Sequence, residues 1–497
     1  MIHLVSLLPF AKALQVVFLF WCGIRLVRHW RRGGKNRPPV VSYILPWVGS
    51  AISIGKDADV FYKKAREDHG DIFAVHVAGA RFIYTTSVPK IAAIYRNTKT
   101  FRFDPVPKKI VSVFGMSPPS VKAEWMRDVF YPSHVKMLSP GHVGCFMDAF
   151  SRHSSDIIGD IAGGITNGRQ MTLEDFIIPM VFEVISATMF GKEFPATSIF
   201  ELFKEYDDLF PILVAEMPKL LTVKTRAAQS KLIDVMTTYL RNPSKEAQAQ
   251  KVLSLYTAGM TDASPKWSER DVAAALLGEF WGPEANMTWG LYWIIAYALH
   301  EPMGLAPLVR ELDQARAQWL KTHPTDDLLE NPEALLAFLT NAELPIFEAH
   351  FAEALRLTSS RFSARTVAAG GATLGGYDLL EGEMIICAGR YVHLNDDIYP
   401  NATAFKPERF LTADGRFNKK EAQKPFLAFG GGVSQCQGRH YTTRACRIVV
   451  ALLLMHFDIR LDPGKPSSIQ LDLMRVGTGV LHPKIASHIV VSRRESM

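Results

Sequence analysis

The sequence predicts a large, mainly α-helical domain with small β-sheets, set behind an apolar N-terminal helix. Three observations carry this reading. Apolar residues recur at three- and four-residue spacing in "DVFYKKARED", "LEDFIIPMVFEVISATMF", "AAQSKLIDVMTTYLRN" and "LPIFEAHFAEALRLT". Strand-like stretches are short and lie toward the two ends, as in "IFAVHVAGARFIYTT" and "EMIICAG". The first residues, "LVSLLPFAKALQVVFLFWCGI", are mostly apolar and run straight into the basic "RLVRHWRRGGKNR".

That apolar run is close to the ~20 residues a helix needs to cross a bilayer. A secretory signal places its positive charge ahead of the apolar stretch. Here the charge follows, so the positive-inside rule leaves the bulk of the chain in the cytosol. Lys12 interrupts the run, and a mid-span charge costs about 2.5–3.5 kcal/mol unless it reaches the interface. An interfacial helix is the alternative. The expected organisation is a transmembrane anchor over 1–27, a basic and proline-rich linker over 28–50, and one domain over 51–497, with no repeat or low-complexity segment inside it.

Composition narrows the function. The chain is 48% hydrophobic and 21% charged, with a net charge of +7. No dense basic tract lies beyond residues 25–35 and no stacking platform or zinc-finger spacing occurs, so nucleic acid is not an expected partner. Five cysteines (Cys22, Cys145, Cys387, Cys436 and Cys446) are scattered without a C-x-x-C pair. That pattern excludes a disulfide framework and structural zinc, and fits a reducing compartment.

"SERDVAAALLGEFWGPEANMTWGLYWIIAYALHEP" predicts the central element. Ser268 and Asp271 have capping-box spacing. The helix they open runs roughly thirty residues, about 45 Å at 1.5 Å each, and is apolar nearly all round, as a buried helix is. Gly282 and Pro283 weaken its middle, and the polar Asn286 follows. A break there marks a functional cavity, or else a proline kink at which Asn286 bonds a freed carbonyl.

"FLAFGGGVSQCQGRH" sets Cys436 just before a helix predicted over 439–456. Unpaired N–H groups and the helix dipole stabilise an anion at such a place, and a thiol there becomes more acidic, the more so beside a metal. The glycines let the main chain turn sharply and approach a flat partner. Alternatively, Cys436 is a small buried hydrophobe in a turn. The phosphate-loop pattern is absent, and no cysteine-protease signature surrounds it.

Phe429-x-x-Gly432-x-x-x-Cys436-x-Gly438 resembles the haem-binding loop of the cytochrome P450 family, in which the cysteine is the axial thiolate. Glu353-Ala354-Leu355-Arg356 is similar to the family's E-x-x-R helix, acid and base on one helical face. "FKPERF", with Pro407, Glu408, Arg409 and Phe410, matches its third landmark, whose Arg409 closes an ion-pair network with Glu353 and Arg356. Three landmarks in the right order, with the long helix upstream and the anchor ahead, are very specific, and the resemblance covers essentially the whole chain.

The resemblance implies the P450 fold and haem b (iron protoporphyrin IX) bound at iron by Cys436, whose sulfur donates electron density that favours O–O cleavage. It implies O2, a lipophilic small-molecule substrate, NADPH–cytochrome P450 reductase as electron donor and a single-pass position in the endoplasmic-reticulum membrane with the haem domain cytosolic. Lys424, Arg439 and Arg444 are basic residues that would face that acidic reductase, or only solvent. Arg365 matches a position that often binds a haem propionate.

Two departures stand out. Ser434 occupies the place of the propionate-binding Arg or His, and Trp125 is followed by Val129 where the family has W-x-x-x-R, with Arg127 nearby. In the long helix, Asn286 stands where the family's proton-delivering Thr is usual and Ala285 where its acid is, while a one-residue shift makes Glu284 the acid. "FWGPEANMTWGLYW" and "FKEYDDLFPILVAEMPKLL" resemble the sterol 7α/12α-hydroxylase and prostacyclin synthase group. That group holds both oxygenation and endoperoxide rearrangement. The first expectation is therefore a monooxygenase hydroxylating a steroid or terpenoid, in fungal secondary metabolism. The alternative is a non-oxidative haem-thiolate isomerase or dehydratase acting on a lipid peroxide.

Overall fold

The computed structural model describes residues 36–45, 47–103, 113–122, 124–165, 168–215, 219–249, 251–423 and 425–494. The expected anchor over 1–27 and most of the linker's basic part lie outside these residues, as does Lys424. Among the described residues, no helix is long and apolar enough to cross a membrane. The chain is mainly helical with small sheets, as expected, and divides into two compact units.

The smaller unit comprises the chain up to Phe103 together with Ser363–Tyr391. It holds helices α1 (Ala58–His69) and α2 (Val88–Arg96) and strands β1 (Ile72–Val77), β2 (Ala80–Thr85), β3 (Phe101–Arg102), β5 (Phe362–Val367) and β8 (Met384–Ala388), in the order β1-β2-β8-β5-β3. β1 and β2 pair antiparallel, Phe73 opposite Tyr84, whereas β2 and β8 run parallel, Ile83 opposite Ile385. A second pair, β6 (Ala372–Leu374) and β7 (Tyr377–Leu379), forms a hairpin. α1 starts where the Asp57 carboxylate accepts the N–H of Val60 and supplies an N-terminal cap.

The larger unit comprises 104–362 and 392–497. Its helices include α3 (Gly144–Gly164), α4 (Leu173–Phe190), α5 (Ala196–Asp208), α6 (Val223–Leu240), α7 (Glu269–His300), α8 (Pro345–Thr358) and α9 (Arg439–His456). A small sheet places β10 (His488–Arg493) between β4 (Arg169–Thr172) and β9 (Phe457–Leu461). α7 is the expected long helix. The Ser268 hydroxyl accepts the Asp271 N–H while the Asp271 carboxylate accepts the Ser268 N–H, completing the capping box. Pro283 lies inside it without ending it, because buried packing on all sides outweighs one missing hydrogen bond. Leu277, Phe280, Leu291, Trp293 and Ile295 are each almost wholly buried in one core shared with α4, α8 and α9, and such side chains stabilise by about 1.5–3 kcal/mol apiece.

Candidate active site

Cys436 lies in a turn that its glycines shape. The Cys436 N–H donates to the Phe429 carbonyl at 2.8 Å, folding 429–436 into a closed loop. Gly430 has φ +69°, and a Cβ there would sit 3.3 Å from the Ser434 carbonyl, so the left-handed turn favours glycine. Gly432 opens a short 3₁₀ turn ending at Ser434, and Gly438 caps α9. Arg439 donates to the Cys436 carbonyl at 3.0 Å. The buried Ser434 hydroxyl donates to Gly431 at 2.9 Å, so it serves the loop's own fold. Phe429 stacks with Phe351 of α8, ring centroids 6.5 Å apart.

The three cysteines described as free differ in setting. Cys387 and Cys446 are buried, and burial pushes the Cys387 thiol up to about 12 and Cys446 higher still, so both stay protonated. Cys436 is only partly buried.

Behind the loop lies the ion-pair network. Glu353 and Arg356 are fully buried on one face of α8, bonded twice at 2.7 and 2.8 Å. Arg356 also donates to the carbonyls of His393 and Ala402, both at 2.7 Å. Arg409 reaches Glu353 at 3.0 Å and the Lys406 N–H reaches it at 2.9 Å. The three charged residues named from the sequence thus come together here. The sequence missed His393, whose Nδ1–H donates to the Arg356 carbonyl at 3.1 Å while Nε2 accepts the Leu427 N–H at 2.8 Å. His393 therefore ties the network to the start of the cysteine loop. No local pattern announces it, because its partners are both main-chain atoms distant in sequence.

At the middle of α7, Glu284 and Ala285 are buried. Burial raises the Glu284 carboxyl well above its ordinary value, the Thr288 hydroxyl opposing this and Asp207 adding to it. Its Oε1 has no partner, and Thr288 stands 3.4 Å from Oε2. Burial raises the Tyr441 phenol on α9, and Glu284 adds to it. Asn286 donates to Gly282 O at 2.9 Å and accepts the Val480 N–H at 3.1 Å. It is a strut between α7 and the C-terminal loop 475–481, which also pairs with the exit of α8 through Ser360 and Gly479. A Cβ on Gly479, at φ +147°, would fall 2.0 Å from Asn286 Oδ1.

The remaining expected residues lie elsewhere. Arg365 is on β5 of the smaller unit, fully buried, with its guanidinium 5.0 Å from both the Tyr95 and Phe103 rings. Trp125 packs on Trp267, and Arg127 pairs with its neighbour Asp128 at the surface.

A metal bound at Cys436 must bring most of its own ligands. The one group of three or more potential ligands among the described residues is Asp207, Asp208 and His482, and Cys436 is not in it. A single partly open thiol on a glycine turn fits an iron already held in a flat macrocycle. The class so defined is that of haem-thiolate enzymes. The sequence model of cytochrome P450 matches residues 38–489, and the chain belongs to the cytochrome P450 family of cysteine-ligated haem monooxygenases. It is 24% identical to cytochrome P450 7B1 of Mus musculus over 96% of this chain and 94% of that one. It is 25% identical to prostacyclin synthase of Homo sapiens, covering 91% and 93%. Cholesterol 7-alpha-monooxygenase of Cricetulus griseus is 22% identical, covering 94% and 96%.

Proposed function

We propose that this chain is a membrane-anchored monooxygenase that hydroxylates a rigid lipophilic molecule, a steroid or terpenoid. Electrons would come from NADPH–cytochrome P450 reductase at the endoplasmic-reticulum membrane. The observation that carries the reading is the partly open Cys436 on its glycine turn, backed by the buried Glu353–Arg356–Arg409 network. A relative named cholesterol 7-alpha-monooxygenase, covered nearly full length, supports the substrate class. The relatives' 22–24% identity to the chain fits a role in a separate lineage, which we read as fungal secondary metabolism.

In this reading Cys436 holds the haem, which supplies activated oxygen when bound. Phe429, Gly432 and Gly438 shape the loop against it. The chain's own residues handle the proton. Glu284, whose carboxyl burial raises well above its ordinary value, holds one next to the Thr288 hydroxyl. Asn286 has no hydroxyl to pass a proton and is engaged at both ends of its amide, so it keeps the centre of α7 in register.

A spectral-shift screen of the haem-loaded protein against steroids, triterpenoids and fatty-acid peroxides finds the ligand, and turnover with labelled O2 tests the reaction. One labelled oxygen atom in the product, with dependence on NADPH and reductase, is expected. An unlabelled product formed from a peroxide without either supports rearrangement, as the name of the prostacyclin synthase relatives suggests.

A further inference from the structure

Arg475, in the C-terminal loop, is buried and forms a second ionic centre that no motif announced. Its Nη2 donates to Asp207 Oδ2 at 2.8 Å and its Nη1 to the Asp207 carbonyl at 3.0 Å. The other Asp207 oxygen accepts the Trp281 indole N–H at 2.7 Å. Three elements thus close on one carboxylate: the end of α5, the middle of α7 and the loop 475–481.

Two features set this closure apart. Arg475 Nε is buried without a hydrogen-bond partner, and His482 Nε2 stands 3.5 Å from Asp207 Oδ2, beyond a good hydrogen bond. Asp208, mostly exposed, lies 3.9 Å from Arg475 Nη1. The guanidinium therefore has a second carboxylate waiting one residue nearer solvent. Beneath the centre, Trp281 stacks on Phe210 at 4.1 Å, and Phe114 stands 5.6 Å from Trp281. α5 ends at Asp208 and the chain restarts as a short helix at Phe210, so the two carboxylates sit at a break between helices.

We propose that the Asp207–Arg475 pair is specificity-determining: it fastens α5 to the C-terminal loop over Trp281 and sets how bulky a molecule reaches the middle of α7. Transfer of Arg475 from Asp207 to Asp208 opens the fastening for a large ligand, while a small one passes without it. The proposal rests on the reading that haem lies beside Glu284–Asn286.

The test uses the full chain loaded with haem and two iron-binding azoles of different bulk, imidazole and clotrimazole, followed by stopped-flow absorbance. Asp207→Asn and Arg475→Gln should speed clotrimazole association about tenfold and leave imidazole within about twofold. Arg475→Lys, which keeps the pair, should match the parent. Asp208→Asn, which removes the second carboxylate and leaves the buried pair, should slow clotrimazole alone. Equal effects on both azoles, or none, overturn the proposal. Amide hydrogen exchange over 196–208 gives a haem-independent arm: exchange should quicken in Asp207→Asn and Arg475→Gln, and unchanged exchange also overturns the proposal. If imidazole shifts no spectrum in the parent protein, the haem reading fails, and the exchange arm still decides the fastening.

Discussion

Two of the buried ionic centres described in the larger unit are built to opposite ends. Around Glu353 and Arg356, both fully buried, side chains and main chain from four segments supply the partners, while Arg409 Nη2, at the edge of the network, has none. Around Asp207 and Arg475, polar atoms are left over and an alternative carboxylate stands 3.9 Å away. A buried charge is tolerated when its hydrogen bonds are complete, and breaking one side then costs most. The first centre is a fixed foundation for the cysteine loop. The second has somewhere else to go.

The largest expected effect follows from the first centre. Arg356→Leu takes the bidentate partner from buried Glu353 and leaves the His393 and Ala402 carbonyls without their donor, at a cost of about 3–5 kcal/mol, and haem content together with thermal melting should show a chain that barely loads haem. Arg475→Gln should load haem and melt closer to the parent, because Asp207 keeps its Trp281 bond. Equal losses would erase the contrast.

A smaller effect is expected at the strut. Gly479→Ala places a methyl against Asn286 Oδ1 in a left-handed conformation, a strain of about 1–3 kcal/mol. Asn286→Ala alone removes hydrogen bonds worth about 1 kcal/mol each. A double-mutant cycle should show the Gly479→Ala penalty shrinking in the Asn286→Ala background. Strict additivity would mean that the two residues do not meet.

The smallest effect depends on pH. His134 Nε2 and the Tyr256 hydroxyl both bond Glu279 Oε2 at 2.9 Å. Burial works against charge on both His134 and Glu279, but their mutual attraction wins, raising the histidine and lowering the carboxyl. The raised histidine contributes stability below its unfolded value, lost as pH rises through its folded one; the lowered carboxyl contributes above its unfolded value, lost as pH falls. The melting-temperature gap between parent and His134→Ala should therefore be widest between about pH 4.5 and 6.5. A gap that does not narrow above that range contradicts the pairing.

The same comparison explains what the sequence revealed. Glu353, Arg356 and the cysteine loop are legible because local spacing carries their geometry, i, i+3 on a helix or glycines flanking a thiol, whereas Arg409 is named only through the family resemblance of its "FKPERF" stretch. The long helix was readable from its capping box and unbroken apolar run, and Pro283 proved compatible with it. Asp207, Arg475, His393 and Gly479 were not, since each owes its place to a partner far along the chain. Asn286 was located correctly on α7, yet its bond to Val480 depends on a loop with no periodic signal.

The proposed chemistry depends on Cys436 supplying the thiolate to haem iron. The direct measurement is the reduced-CO absorption spectrum of the purified full chain and of Cys436→Ser. The parent should give the band of a thiolate-bound haem, and the variant should lose it while Cys387→Ser and Cys446→Ser keep it. A thiolate band that survives Cys436→Ser would contradict the claim.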